Sequence, residues 1–332
     1  MAHNIEIRNG EASMFYVDAE PWHGLGRKLN EPATAEEAIR AAKLDWEVFK
    51  VPLYAQQSTI RHRVKDKFGV VRRDLWGGDK CPVLGIVGRQ YTPLQNKDAF
   101  CFFDPIVGEG AAIYHTAGVL GEGERIWILA KLPEVIRVTG DDIVNKYLLL
   151  SNSHDGNSAV QVKFTPIRVV CQNTLTMALS QGRTVRVAHT KSLPERLQAA
   201  EKLLGIVRTH FDIIEKTFSE MTKVNLNRER LGEYYQLVFP NSSDPDNERA
   251  IKRVQDNRLL AEHFFDQGKG NRAKGVEGTL WAAYNGITEL IDHRFTQSSD
   301  DQRLKSVWFG SGYFIKARAF RIAEEKLMSW SN

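Results

Sequence analysis

Cysteine is scarce in this sequence: Cys81, Cys101 and Cys171 are the three in 332 residues, and none forms a CxxC pair. An odd, scattered set argues against a disulfide framework and against a cysteine-based zinc site. Long apolar runs are also missing, with nothing near the roughly 18 residues that a membrane span requires. The N-terminal "MAHNIEIRNGEASMFY" lacks the basic stretch and apolar core of an export signal. These absences lead to the expectation of a soluble, unexported protein in a reducing cytoplasm, with no membrane partner.

Signatures of catalysis are missing too. No GxGxxG opens a helix after a strand, and there is no GxxxxGK[ST], no HExxH and no pair of histidines at i, i+4. Cys171, with His154 and Asp155 upstream and Asn173 nearby, comes closest to a nucleophile, but its apolar neighbours mark it as a small buried hydrophobe. Glu289 and His293 in "ELIDH" share a helix face in the manner of a surface ion pair. No catalytic constellation assembles, so an enzyme is not expected, nor a metal or a cofactor.

A large excess of one charge is likewise lacking. Lys plus Arg number 45 against 41 Asp plus Glu, a net of +4. A nucleic-acid reading must therefore rest on where the cations lie. Two concentrations stand out. Between Asp155 and Glu195 run 39 residues without an acid, containing Lys163, Arg168, Arg183, Arg186 and Lys191. From Arg61 to Lys80, the cations Arg61, Arg63, Lys65, Lys67, Arg72, Arg73 and Lys80 face only Asp66, Asp74 and Asp79. Arg61, Arg63, Lys65 and Lys67 occupy alternate positions, which on one regular strand projects all four from a single face. Such a row would track a phosphate backbone; its bland counterpart is a solvated face or a charged edge that discourages aggregation.

What is present reads as a mixed chain. "PATAEEAIRAAKLDWEV" carries a capping box, Thr34 and Glu37, ahead of a short helix. Val48 to Leu132 is rich in β-branched and aromatic strand signals, with "KDKFG" as the expected tip of a charged hairpin and a helix around Ala99 to Ile106. "GVLGEGERIWILAKLP" reads as a second hairpin, and "HDGN" as the turn between strands "NKYLLLSNS" and "SAVQVKFTP". After Pro166, "IRVVCQNTLTMALSQ" is expected to be a helix, placing Arg168, Gln172 and Thr176 on one side with Asn173 adjacent. From Ser192 onward, 3.6-residue periodicity takes over, in "LPERLQAAEKLLGIVRTHFDIIEKTFSEMTK" and later in "TLWAAYNGITELIDH" and "SGYFIKARAFRIAEEKLMSW". The expected organisation is an α+β core over residues 1–191 and a helical region over 192–332.

"PWHGLGRKL", "HDGNSAVQVKFTPIRVVCQNTL" and "GTLWAAYNGITELIDH" with "SVWFGSG" resemble the phage- and plasmid-related family classed as domain of unknown function 932. That resemblance implies a mobile-element setting in a bacterial host and names no activity. The order of antiparallel strands, hairpin and following helix is in turn similar to the core of Rad52-type single-strand annealing proteins. It implies an antiparallel sheet with a helix packed across it, a ring or filament of like subunits, and a groove for single-stranded DNA, with no cofactor. Carried onto this chain, the analogy puts the hairpin from Arg61 to Arg73, together with Lys163 and Arg168, at that groove; Gln172, Asn173, Arg183 and Arg186 complete the expected DNA-binding set. A phage exonuclease or a single-strand binding protein would be a natural partner. The alternative is a host-interaction or anti-defence protein of a mobile element, with a basic face but no annealing activity.

Overall fold

Strand signals in the N-terminal half and helical periodicity in the C-terminal half yield an α+β chain with antiparallel-rich sheets; of the helix expected from Leu193, residues 194 and 196–206 lie outside the described residues. The computed structural model describes residues 4–18, 20–21, 24–103, 112–168, 173–174, 185–193, 195, 207–294 and 303–330. It divides into two compact units: Met1–Pro133 with Tyr147–Phe164 and Thr184–Gly205, and Glu134–Lys146 with Thr165–Arg183 and Ile206–Asn332.

The first unit opens with a short ladder of β1 (Ile7–Arg8) and β2 (Glu11–Ala12), then β3 (Met14–Val17), β4 (Arg27–Leu29) and α1 (Ala35–Ala41). Helix α1 starts where the sequence places it: Thr34 Oγ1 accepts the Glu37 N–H at 3.3 Å, and Glu37 Oε2 accepts the Thr34 N–H at 2.9 Å. Its small residues Ala38 and Ala41 are buried. Next come β5 (Val48–Gln57), β6 (Ile60–Arg72) and β7 (Gly85–Gly88), a separate three-stranded antiparallel sheet in the order β5-β6-β7. Helix α2 (Asn96–Cys101) buries Ala99 and Phe100; Ile106, expected to extend it, lies outside the described residues.

The larger sheet of this unit is built from β8 (Ile113–Leu120), the first part of β9 (Arg125–Thr139), the second part of β10 (Asp142–Ser153), β11 (Val160–Phe164) and β14 (Val185–Val187), with β3 and β4 beyond β8. Both expected hairpins are there. Leu120 pairs with Arg125 across the Gly121–Glu124 turn, and Ser151 pairs with Gln161 across the "HDGN" turn, where Gly156 takes a φ of +76°. One apolar cluster joins α1, α2 and the strands, with Phe15, Trp46, Val70, Phe100, Tyr114, Ile128 and Leu150 among its members.

In the second unit, the outer parts of β9 and β10 are joined by β12 (Ile167–Arg168) and β13 (Asn173–Thr174). Here the structure departs from the sequence reading. Where a helix was expected after Pro166, Arg168 pairs with Val144 of β10 and with Asn173 of β13. The register against β10 resumes where β11 leaves it, Leu148 opposite Phe164 and Asn145 opposite Ile167. Pro166, having no N–H to give the ladder, interrupts a strand and does not open a helix. The β-branched Ile167 fits the strand it occupies. Where it is described, the segment expected to form the helix across the sheet is strand, at 167–168 and 173–174. Gln172 and Thr176 themselves lie outside the described residues.

The helices of this unit are α3 (Val207–Met221), α4 (Arg228–Val238), α5 (Glu248–Gln267), α6 (Leu280–Glu289), a π turn over Leu290–Arg294, α7 (Arg303–Phe309) and α8 (Ser311–Trp330). Phe218 of α3 packs on Trp281 of α6 with ring centroids 4.6 Å apart, and meets Phe320 of α8 edge-on at 5.9 Å. The polar ends of this aromatic core are satisfied: Trp281 Nε1 donates to Asp142 Oδ2 at 2.7 Å, and Tyr234 Oη donates to the Ala319 carbonyl at 2.9 Å. Lys316 and Asp292 form a fully buried ion pair at 2.6 Å, with burial pushing the Lys316 ammonium below its ordinary range. Among the described residues no helix is long and apolar enough to cross a membrane.

Candidate nucleic-acid interface

The hairpin of β5 and β6 turns at Ser58 and Thr59, since Gln57 pairs with Ile60 and Ser58 takes a left-handed φ of 53°. "KDKFG" is therefore not the tip but lies inside β6. Its Asp66 takes a φ of 55°, and between the pairs Pro52–Phe68 and Tyr54–Arg63 the one residue of β5, Leu53, is matched by four of β6, 64–67. This is a large bulge.

The bulge breaks the expected single row of cations. Pro52 and Tyr54, two apart on β5, share a face, so their partners Phe68 and Arg63 share it as well. Lys67, next to Phe68, then points the other way. Arg61 and Arg63 thus occupy one face and Lys67 the opposite one, with Lys65 inside the bulge. All four are exposed.

Strand β7 pairs only with residues 67–70 of β6. Beyond it, β5 and β6 continue as a two-stranded arm in which every residue from Tyr54 to Arg63 is exposed. The arm has an internal order of its own: the Arg61 guanidinium lies over the Tyr54 ring, 3.8 Å from its centroid. Tyr54 itself was not among the residues singled out from the sequence. Its signal was weak, an aromatic on a strand whose partner strand carries arginines.

At the base of the hairpin the same residue type does different work. Arg72 is wholly buried, so it is no part of an exposed DNA-binding set. Its guanidinium pairs with Glu6, donates to Asp74 Oδ2 at 3.0 Å and to the Glu122 carbonyl at 3.1 Å, and lies 4.0 Å from the Trp46 ring centroid. Burial acts to raise the Asp74 carboxyl, but Arg72 and Arg8 outweigh it and hold the group below its ordinary range. Arg73, one residue on, is exposed. Its Nε donates to Glu47 Oε2 at 2.9 Å, and its guanidinium sits 4.8 Å from the Phe49 ring centroid.

The acid-free window distributes differently. Gln161 and Arg186 are partners across β11 and β14, and Lys163, two residues from Gln161, lies on the same face. Arg186 is exposed, whereas Lys163 is only 8 % exposed and so is withdrawn from solvent. Arg168 and Asn173 are paired strand positions in the second unit, and Gln172 and Arg183 lie outside the described residues. Of the aromatics in this half of the chain, Tyr114, Trp127 and Tyr147 are buried, and Phe68, Tyr91 and Phe164 pack partly buried against the core. Trp76, 55 % exposed, joins Tyr54 as an exposed aromatic.

The "SHDGN" turn is structural. His154 is fully buried, donates from Nε2 to Asn96 Oδ1 at 3.0 Å and stands 5.4 Å from the Trp46 ring. Burial, with His189 and Arg72 adding repulsion, drives its pKa down to about 3, so the ring is neutral near pH 7. Asp155 Oδ1 accepts the Asn157 N–H at 2.9 Å, closing the turn. Strand β7 passes so close that a Cβ on Gly85 would lie 2.3 Å from the Asp155 carbonyl oxygen. Cys171, the weighed nucleophile, lies outside the described residues.

Compared with known proteins, residues 83–308 match the model of a family described as Domain of unknown function (DUF932), and the chain belongs to that family. The basic hairpin precedes the matched segment. No curated protein and no solved structure matches the chain.

Proposed function

We propose that this DUF932 member binds single-stranded DNA and anneals complementary strands as a homo-oligomer, without a cofactor, in a phage or plasmid recombination system of a bacterial cytoplasm. The observation that carries the reading is the two-stranded arm, exposed on both faces and bearing Arg61, Arg63 and a cation-stacked Tyr54, with Lys65 and Lys67 at its root. A polyanion gains by releasing counterions at such a surface, and unpaired bases gain by stacking on it. A Rad52-type groove between sheet and helix is not part of the support, because strands stand at the described positions where that helix was expected. The arm takes its place as the proposed contact.

A second reading draws on a specific feature. Ile60 and Ile86 are 62 % and 64 % exposed near these cations, and exposed aliphatic side chains suit a protein partner better than a phosphate backbone. This is the host-interaction protein without annealing activity. Binding of labelled single strands, followed by an annealing assay with complementary oligonucleotides, separates the two. The first reading expects salt-sensitive binding, accelerated annealing and a mass in solution above that of the monomer. Binding without annealing, or a monomer both with and without DNA, counts against it.

A further inference from the structure

On the reading just given, we infer that the outer face of the β5-β6-β7 sheet holds an unpaired base of the DNA strand by stacking it on the indole of Trp76. Phe49 pairs with Val71, and Val71 lies an even number of residues from Lys67, so Phe49, Val71 and Lys67 share this face, opposite to Arg61 and Arg63. Trp76 joins them: its ring stands edge-on to Phe49, with centroids 5.4 Å apart and planes at 77°. It is 55 % exposed, whereas Trp46, Trp127 and Trp281 are 4 %, 1 % and 0 % exposed.

An indole wedged edge-on against a neighbour loses little rotamer freedom when a ligand covers it, which is what a stacking platform needs. Its anchoring is layered. Glu47 holds Arg73, Arg73 covers Phe49, and Phe49 fixes Trp76.

Charge selects the occupant. Lys67, exposed at one end of the face, suits a polyanion, while Arg73 at the other end is paired with Glu47 and serves to hold Phe49. Of polyanions, a single-stranded nucleic acid offers planar faces to the indole; a duplex keeps its base faces covered by its own stack. Stacking of this kind tolerates any base, so no sequence preference is expected. Two surfaces then act on one strand: Arg61, Arg63 and Tyr54 on the arm, and Trp76 with Lys67 on the outer face.

The test compares two strands of equal length and equal phosphate number, oligothymidylate and its abasic counterpart, by fluorescence anisotropy. Wild-type protein is expected to bind the base-bearing strand more tightly than the abasic one. Trp76→Ala is expected to lose about tenfold in affinity for the base-bearing strand, the scale of one stacked base, and nothing for the abasic strand. Trp76→Phe is expected to keep most of the preference. Trp76→Leu preserves bulk against Phe49 without an aromatic face, and is expected to behave as the alanine variant does. Losses that are equal on both strands, or absent, overturn the stacking assignment. A wild type that binds both strands alike overturns it too while leaving the DNA reading in place, and one that binds neither overturns both.

Discussion

The two ends of β6 carry the same kind of side chain to opposite ends of its range. At Gly69–Arg72 the strand is buried, paired with β5 throughout and with β7 as far as Val70, and Arg72 is locked among Glu6, Asp74 and Trp46 with no exposed surface. At Ile60–Arg63 only β5 accompanies it, and Arg61 and Arg63 stand in solvent. What separates an internal strut from a candidate phosphate contact is therefore the company the strand keeps, since charge and spacing are alike. Histidine repeats the lesson: His62 is exposed on the arm, whereas His154 is sealed beside Trp46.

The sharpest way to break this comparison is at Arg72. Arg72→Ala leaves Glu6 buried without its cation, and is expected to cost about 3–5 kcal/mol in denaturant unfolding. A loss below 1 kcal/mol would mean that the buried network matters little. Acid probes the same interior through histidine. His154 and His115 have folded pKa values near 3 and 4, below the ordinary 6.5 that each regains on unfolding. The unfolded state then binds more protons, so their contribution is complete above about pH 6.5 and falls as pH drops toward 3. The slope is up to about 1.4 kcal/mol per pH unit for each histidine. His154→Gln should flatten that slope in pH-dependent unfolding, and an unchanged slope would refute the assignment.

Smaller in size is the effect at Gly85. An added methyl there meets the Asp155 backbone, so Gly85→Ala is expected to cost about 1–3 kcal/mol, because backbone must shift to admit it. Smallest of all for stability is the arm itself. Arg61→Ala, Arg63→Ala and Lys65→Ala combined should leave unfolding within about 0.5 kcal/mol of wild type, as exposed substitutions do. A larger loss would return the arm to a structural role.

Much of the fold was legible because its signals are local. The Thr34–Glu37 box starts α1, glycine and asparagine punctuate the turn after His154, and the apolar stripes of α6 and α8 need no distant partner to be read. What escaped depends on residues far away in sequence. Pro166 suits the first turn of a helix until β10 offers Val144 and Asn145 a ladder to complete. The row from Arg61 to Lys67 looks in phase until Asp66 turns left-handed and throws the last cation to the other face. Arg72 reads like its neighbours, and nothing near it announces that Glu6 will enclose it. Of the candidate site, the cations of the arm were visible in the alternation of charge; Tyr54 and the packing of Phe49 with Trp76 were not, because an exposed aromatic has the same local pattern in sequence as a core one.

Contact between the arm's cations and DNA is the centre of the proposed function. Binding of a single-stranded oligonucleotide measured from low to physiological salt tests this most directly, in wild type and in the Arg61, Arg63 and Lys65 triple-alanine variant. A linear fall of log K with log salt is expected in the wild type, and in the folded variant a slope shallower by about 2, the share of three lost phosphate contacts. The same slope and affinity in both proteins, or no binding by the wild type at low salt, would contradict that contact.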